Sequence, residues 1–161
     1  MNNQAMMVTK VKNIYIMLLH AISKENISIV DHYIDDDLAT KINNYIENNK
    51  TNNVKQVFRQ QNISNVDILN ESDDCITIRA DIKHITYFVD RTSNNYVYGD
   101  NQTRKKNTIT LKFRKNNIQA KAIIHCPSCG AGLKINNSAI CSYCGESLDE
   151  SYSHYVLCSI E

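Results

Sequence analysis

The chain has 161 residues, a formal net charge of +1, a 42% hydrophobic fraction and a single proline. That is long enough for one cored domain carrying at most a small module, and neither disordered nor coiled-coil composition fits it. The longest apolar run, Ile14 to Ile22, is broken by His20 and falls short of the roughly twenty residues that span a bilayer.

Taken in order, the N-terminal MNNQAMMVTK has neither a basic cap nor a cleavage site. The expectation is therefore a protein of the reducing cytoplasm without signal peptide or transmembrane segment. Met7, Val11, Ile14, Leu18 and Ile22 recur at helical spacing with Lys10, Lys12 and Asn13 between them, which predicts an amphipathic helix ending near Ser23 and Lys24. Ser28 is placed to cap a short second helix carrying Ile29, Val30 and Tyr33. Asp35, Asp36 and Asp37 then precede Leu38, Ile42, Tyr45 and Ile46, and the acidic run suits the positive end of a third helix better than a metal site. Lys50 to Gln56 reads as a polar connector.

The period then changes to two. A strand is predicted from Ile63, and Asn70 to Asp74 forms a turn. Ile76, Ile78, Ala80 and Ile82 alternate with polar residues. Beyond His84 the apolar parity shifts to Ile85, Tyr87 and Val89, which predicts one long strand with a bulge. Thr92 to Asn107 reads as a polar loop, Ile109, Leu111 and Phe113 as a strand, Gln119 to His125 as its extension, and Tyr155 to Ile160 as a last strand paired beside residues 108–115.

Between them stands CPSCGAGLKINNSAICSYCG. Cys126 with Cys129 and Cys141 with Cys144 form two Cys-x2-Cys pairs with eleven residues between them, each closed by a glycine. Two such turns supply the four thiolates of a closed structural zinc site, which stabilises a segment too small to fold on its own. A redox motif would need a strand and helix around one pair, and a disulfide scaffold would need a secreted context. Cys75 and Cys158 lie in apolar alternating runs and read as core residues. The expected cofactor is one structural Zn2+.

Helices first and strands afterwards define an α+β fold, with N-terminal helices on a curved antiparallel sheet and a small zinc ribbon inserted before the last strand. The division is 1–125 for the main domain, 126–148 for the ribbon and 149–161 for the returning strand. CPSCGA at Cys126 to Ala131, CSYCG at Cys141 to Gly145, YVLCSI at Tyr155 to Ile160 and the YVYGD turn at Tyr96 to Asp100 resemble bacterial members of the Tim-forty-four-like family. These are relatives of a mitochondrial import tether in the nuclear-transport-factor-two-like, cystatin-like fold. The chain departs from them in lacking tryptophan, in having Lys115 where the family has arginine, and in lacking an N-terminal membrane segment.

The resemblance implies a cone-like domain that binds rather than catalyses, in protein transport or as an adaptor. Its partner would be a protein, an apolar or lipid ligand in a pocket walled by Leu18, Ile22, Tyr45, Ile78, Tyr87 and Phe113, or an anionic membrane surface met peripherally. Each of the six is also a plain core candidate. Nucleic acid is the second reading. From Asn101 to Gly145 there are eight basic residues, Arg104, Lys105, Lys106, Lys112, Arg114, Lys115, Lys121 and Lys134, and no Asp or Glu. An isomerase of the same fold is the third, and it would need Tyr15, His20 or His84 as acid or base.

Overall fold

The structure, a computed structural model, describes residues 3–115 and 155–161. The predicted strand Gln119 to His125, the ribbon with its four cysteine ligands, Lys121 and Lys134 lie outside the described residues. Helices α1 (Asn3–Lys24) and α2 (Asp36–Thr51) are joined through a 3-10 turn at Ile27–Ile29. Strands β1 (Val54–Glu71), β2 (Cys75–Asp90), β3 (Tyr96–Lys115) and β4 (Tyr155–Ile160) follow. They form one antiparallel sheet in the order β1-β2-β3-β4, and the helices pack on it in an α+β arrangement.

α1 follows its apolar spacing. Met7, Val11, Ile14, Leu18 and Leu19 are buried in one core with Ile76, Ile78 and Ala80 of β2, Leu111 and Phe113 of β3, and Leu157 of β4. α2 adds Leu38, Ile42 and Ile46 to the same core. The acidic run starts α2 as predicted. Asp35 is the N-cap, its Oδ1 accepting from the Leu38 N–H at 2.9 Å, which satisfies one of the otherwise orphaned donors of the first turn. The second helix is corrected in length and in cap. Asn26, not Ser28, caps it, with its Oδ1 accepting from both the N–H and the Oγ of Ser28, and only one 3-10 turn results.

The strands are longer than their apolar patterns. Only Asn52 and Asn53 separate α2 from β1, so the predicted connector is largely helix end and strand start, with Asn53 in the left-handed region at φ 58° to turn the chain. β1 begins nine residues before Ile63. The predicted polar loop from Thr92 is mostly strand. A short turn is held by the Asp90 carboxylate, which accepts from the N–H groups of Thr92 and Ser93, and β3 starts at Tyr96. β4 occupies its predicted span and pairs where expected, from Leu111 with Ile160 to Lys115 with Tyr155. Its outer edge is covered in turn. Leu157 N donates to Tyr33 O and Asp35 N donates to Leu157 O, both at 2.9 Å, so residues 33–35 add a short parallel bridge.

The bulge at His84 is real but lies in the neighbours. β1 places Gln60 and Gln61 against the single residue His84, and β3 places residues 101–104 against the single residue Ile85, whereas β2 itself runs without an extra residue. Alternation along an unbroken strand then carries Ile85, Tyr87 and Val89 to the face opposite Thr86 and Phe88. Ile85 and Val89 are accordingly buried apart from the main core.

One polar clamp closes the far end of α1. Both terminal nitrogens of Arg91 donate to the Glu25 carboxylate, and Nη2 also donates to Val54 O at 3.0 Å, which ties the helix end to β1 and to the turn after β2. Charge-assisted, two-pronged pairs of this kind are among the stronger hydrogen bonds. Arg91→Met is expected to lower stability by about 1.5–3 kcal/mol in urea titration at pH 7. The bonds from Arg91 hold the Glu25 carboxyl below its usual range. A depressed folded-state pKa contributes stability that is present above the unfolded pKa of about 4.3 and fades as pH falls through the folded value. The gap between variant and wild type should therefore narrow below about pH 4; a constant gap would assign the loss to packing.

Candidate functional site

Most of the sheet face away from the helices is polar and internally paired. Arg79 meets Asp67 at 3.4 Å, and Asp81 accepts from Asn65 and Thr108 at 2.8 Å each while Lys106 approaches it at 3.5 Å. These are exposed cross-strand pairs of small individual worth.

The end of the sheet built by the first half of β3 is different. Tyr96, Val97 and Tyr98 are exposed in succession, at 52%, 46% and 48%. On the helix side Tyr98 stacks on Phe88, with ring centroids 4.4 Å apart and planes 17° from parallel. Beside them Tyr45 of α2 donates to Gln56 Oε1 at 2.5 Å, and Gln56, itself buried, donates onward to Thr86 Oγ1 at 2.8 Å. This chain of bonds fixes a shelf of aromatic side chains where α2 passes over the sheet, and partial burial pushes the Tyr45 phenol pKa up. On the opposite face Tyr96 lies against Tyr87 at 6.4 Å, and its hydroxyl donates to the Gly99 carbonyl. Gly99 is required there: its φ is +100°, and a Cβ would stand 2.9 Å from the Tyr87 Cα. Two faces of one strand thus present aromatic rings to solvent, an arrangement suited to contact.

The six predicted pocket residues are divided. Leu18, Ile78 and Phe113 are buried together in the main core, and Ile22 packs against its margin. Tyr45 is 40% exposed on α2 and belongs to the aromatic shelf. Tyr87, half-buried, belongs to the opposite face. The predicted basic residues that are described all stand on β3, yet alternation splits them. Arg104, half-buried, lies in the irregular stretch 101–104, whereas Lys106, Lys112 and Arg114 share one parity and Lys105 and Lys115 share the other. Arg114 is engaged by Asp35 at 2.8 Å and Lys106 by Asp81. Tyr15, His20 and His84 do not converge either. Tyr15 is buried, with its phenol pKa pushed up to about 12 by desolvation, and His20 is exposed on the same helix. His84 sits edge-on to Phe58 at 5.5 Å, its pKa lowered by desolvation.

Cys75 and Cys158 are free thiols and half-buried rather than fully in the core. The Cys158 Sγ lies 3.2 Å from Lys112 O, and burial raises its pKa, so it is a quiet thiol.

Sequence reasoning missed Lys10. Lys10 reads as one of the residues that fall between the apolar positions of α1, but it is 3% exposed, and its Nζ donates to the Tyr155 carbonyl at 2.8 Å. Lys10 stands three residues after Met7 and four before Ile14, so its place on the buried stripe was legible from spacing although its residue type argued otherwise.

No helix among the described residues is long and apolar enough to cross a membrane. The sheet and helices define an α+β domain, and the solved structures contain similar ones. The chain is similar to the crystal structure of the intermembrane space region of the chloroplast protein ARC6, with a TM-score of 0.58 and 6% identity, covering 100% of this chain and 96% of that chain. At that identity the likeness is one of fold. No family model matches the chain, and no curated protein matches it.

Proposed function

We propose that this is a non-enzymatic binding domain of the Tim-forty-four-like kind, an adaptor whose four cysteines, Cys126, Cys129, Cys141 and Cys144, hold one structural zinc ion. The observation that carries the binding reading is the end of the sheet around β3, where Tyr45, Tyr98 and the half-buried Phe88 form an aromatic shelf on one face, pinned by the Tyr45–Gln56–Thr86 bonds, and Tyr96 stands exposed on the other. Exposed aromatic clusters on a rigid support are the usual anchors of protein interfaces. An inserted ribbon is supported by the pairing of Lys115 with Tyr155 as direct cross-strand neighbours, since the two residues that flank segment 116–154 stand side by side in the sheet. The four-thiolate donor set suits zinc in a closed, structural site. Binding by the basic face to nucleic acid is the weaker reading, because Arg114 and Lys106 are already engaged by carboxylates and the remaining lysines of β3 divide between its two faces.

Two measurements test the proposal. Purified protein should contain one equivalent of zinc, and Cys126→Ser or Cys144→Ser should lose it while helical and sheet circular dichroism persist and amides of β4 exchange faster. Stoichiometric zinc in either variant would refute the site. Flotation with anionic and neutral liposomes at two salt concentrations, beside a nucleic-acid shift assay, separates the partner classes. Salt-sensitive binding to anionic liposomes alone favours the peripheral membrane role, and a nucleic-acid shift would replace the adaptor reading with the alternative.

A further inference from the structure

Charge on the sheet face away from the helices is concentrated at one row. Directly paired residues share a face, so the ladders set Arg59 of β1 beside Ile85 of β2, and Lys106 of β3 beside Lys83, all on that outer side. Arg104 stands two residues before Lys106 in the bulged stretch opposite Ile85, and alternation brings it to the same face. Neighbouring positions lie about 5 Å apart across a sheet and about 7 Å apart along a strand. Arg59, Lys83, Arg104 and Lys106 are therefore gathered around Ile85. Both neighbours of β2 carry their extra residues at this row, and bulges commonly re-aim side chains beside a site.

The gathering is costly to the fold. Lys83 and Lys106 are direct cross-strand partners, and like charges so placed are destabilising. Among the described residues the group makes one ion pair, Lys106 with Asp81 at 3.5 Å, and that carboxylate also accepts from Asn65 and Thr108. Arg104 is half-buried, and its Nε has no hydrogen-bond partner among the described residues. Four cations against one shared carboxylate leave about three charges unmatched. The arginines farther along the same face are matched instead, Arg79 by Asp67 and Arg114 by Asp35. A local rule broken without structural return is the mark of a functional position.

From this we infer that the row is an anion site that holds a phosphomonoester group. The dianion brings up to about two charges and three terminal oxygens, so Arg59, Lys83 and Arg104 can each donate to it while Lys106 stays with Asp81. A carboxylate offers one charge and two oxygens, which leaves the row unbalanced. A phosphodiester chain would need the positive row to continue. Along the face it is followed by Tyr87 and Tyr96 on one side and by Asp81 and Asp67 on the other. The site lies on the face opposite the Tyr45–Tyr98 shelf, and it goes beyond the binding reading without depending on it.

The test uses the full chain at pH 8 and constant ionic strength, with inorganic phosphate, dimethyl phosphate and acetate as probes and backbone amide shifts as the readout. Phosphate should give saturating shifts at Lys83, Ile85 and residues 104–106, and the two monoanions should bind at least about tenfold more weakly. Arg59→Gln and Lys83→Met should each weaken phosphate at least about tenfold, whereas Lys112→Gln, farther along the same face, should leave it unchanged. All three substituted side chains are exposed, so the ladders that hold the sheet are kept. Phosphatidylcholine vesicles with and without phosphatidic acid name the source of the group. Capture by the phosphatidic acid vesicles that Lys83→Met abolishes assigns it to a lipid headgroup, and phosphate binding without capture assigns it to a soluble compound.

Equal affinity for the three anions, shifts confined to another face, or undiminished binding by Arg59→Gln and Lys83→Met would overturn the site. So would the absence of shifts up to about 10 mM phosphate together with no vesicle capture. Each of these results leaves the binding-domain reading standing, because that reading rests on the aromatic end of the sheet and not on this row.

Discussion

Phe113→Ala should cost about 3–5 kcal/mol of unfolding free energy with an unchanged denaturant slope, measured by urea titration. Phe113 is wholly buried and stands at the centre of the sheet, opposite Ile76 on one side and Leu157 on the other. Removing its ring takes away a large buried apolar surface and leaves a hole that two neighbouring strands, each fixed by its own ladder of hydrogen bonds, cannot close. The experiment also separates two roles for the same side chain. If Phe113 were the wall of an open apolar pocket, its truncation would enlarge a space already present, and the loss would stay below about 1 kcal/mol, the scale of a partly exposed apolar contact. A large loss assigns Phe113, with Leu18 and Ile78 beside it, to the filled core and moves the search for the binding surface to the exposed end of the sheet.

Where a segment has water on one side and core on the other, its sequence declares it. α1 shows the helical spacing of Met7, Val11, Ile14 and Leu18, β4 is placed within its predicted bounds, and the first half of β2 alternates cleanly because only one of its faces meets the helices. Asp35 was legible as a helix start because an acidic cap has few other uses before an apolar stripe. The first half of β3 was illegible for the converse reason. From Tyr96 to Asn107 nearly every residue is exposed, so no alternation is imposed, and a strand held by its neighbour's backbone looks like a polar loop. The parity change in β2 signalled a bulge but could not say which strand carries it, since an extra residue in β1 or β3 leaves β2's own sequence regular. The candidate binding surface inherits that illegibility. Tyr98 and Phe88 are separated by a turn and are aligned only by the hairpin register, and Tyr45 joins them from another element altogether.

Lys10→Met is expected to stabilise the protein at pH 6 by about 1–3 kcal/mol and to flatten its alkaline stability profile. Lys10 is buried on α1 among the apolar residues of its stripe, and desolvation pushes its pKa from an ordinary 10.5 down to about 7. A lysine whose folded pKa is lowered disfavours the fold while it is charged. Below about pH 7 both folded and unfolded chains carry the proton, and the full penalty applies. Between about pH 7 and 10.5 the unfolded chain holds a proton that the folded chain has released, so stability rises with pH by up to about 1.4 kcal/mol per pH unit.

Methionine keeps the length and the apolar stem without the charge, and it gives up the bond to the Tyr155 carbonyl, worth about 1 kcal/mol. That bond joins the first helix to the first residue of β4, so the exchange trades a desolvation penalty for one tether on β4. Urea titrations of both proteins at pH 6, 8 and 9.5 decide the matter. A variant that is more stable at pH 6 and converges on wild type at pH 9.5 establishes a lysine buried at a cost. A variant weaker at every pH, with the wild-type slope retained, would mean that the ammonium stays charged in the fold and that its partners around Tyr155 more than offset its burial.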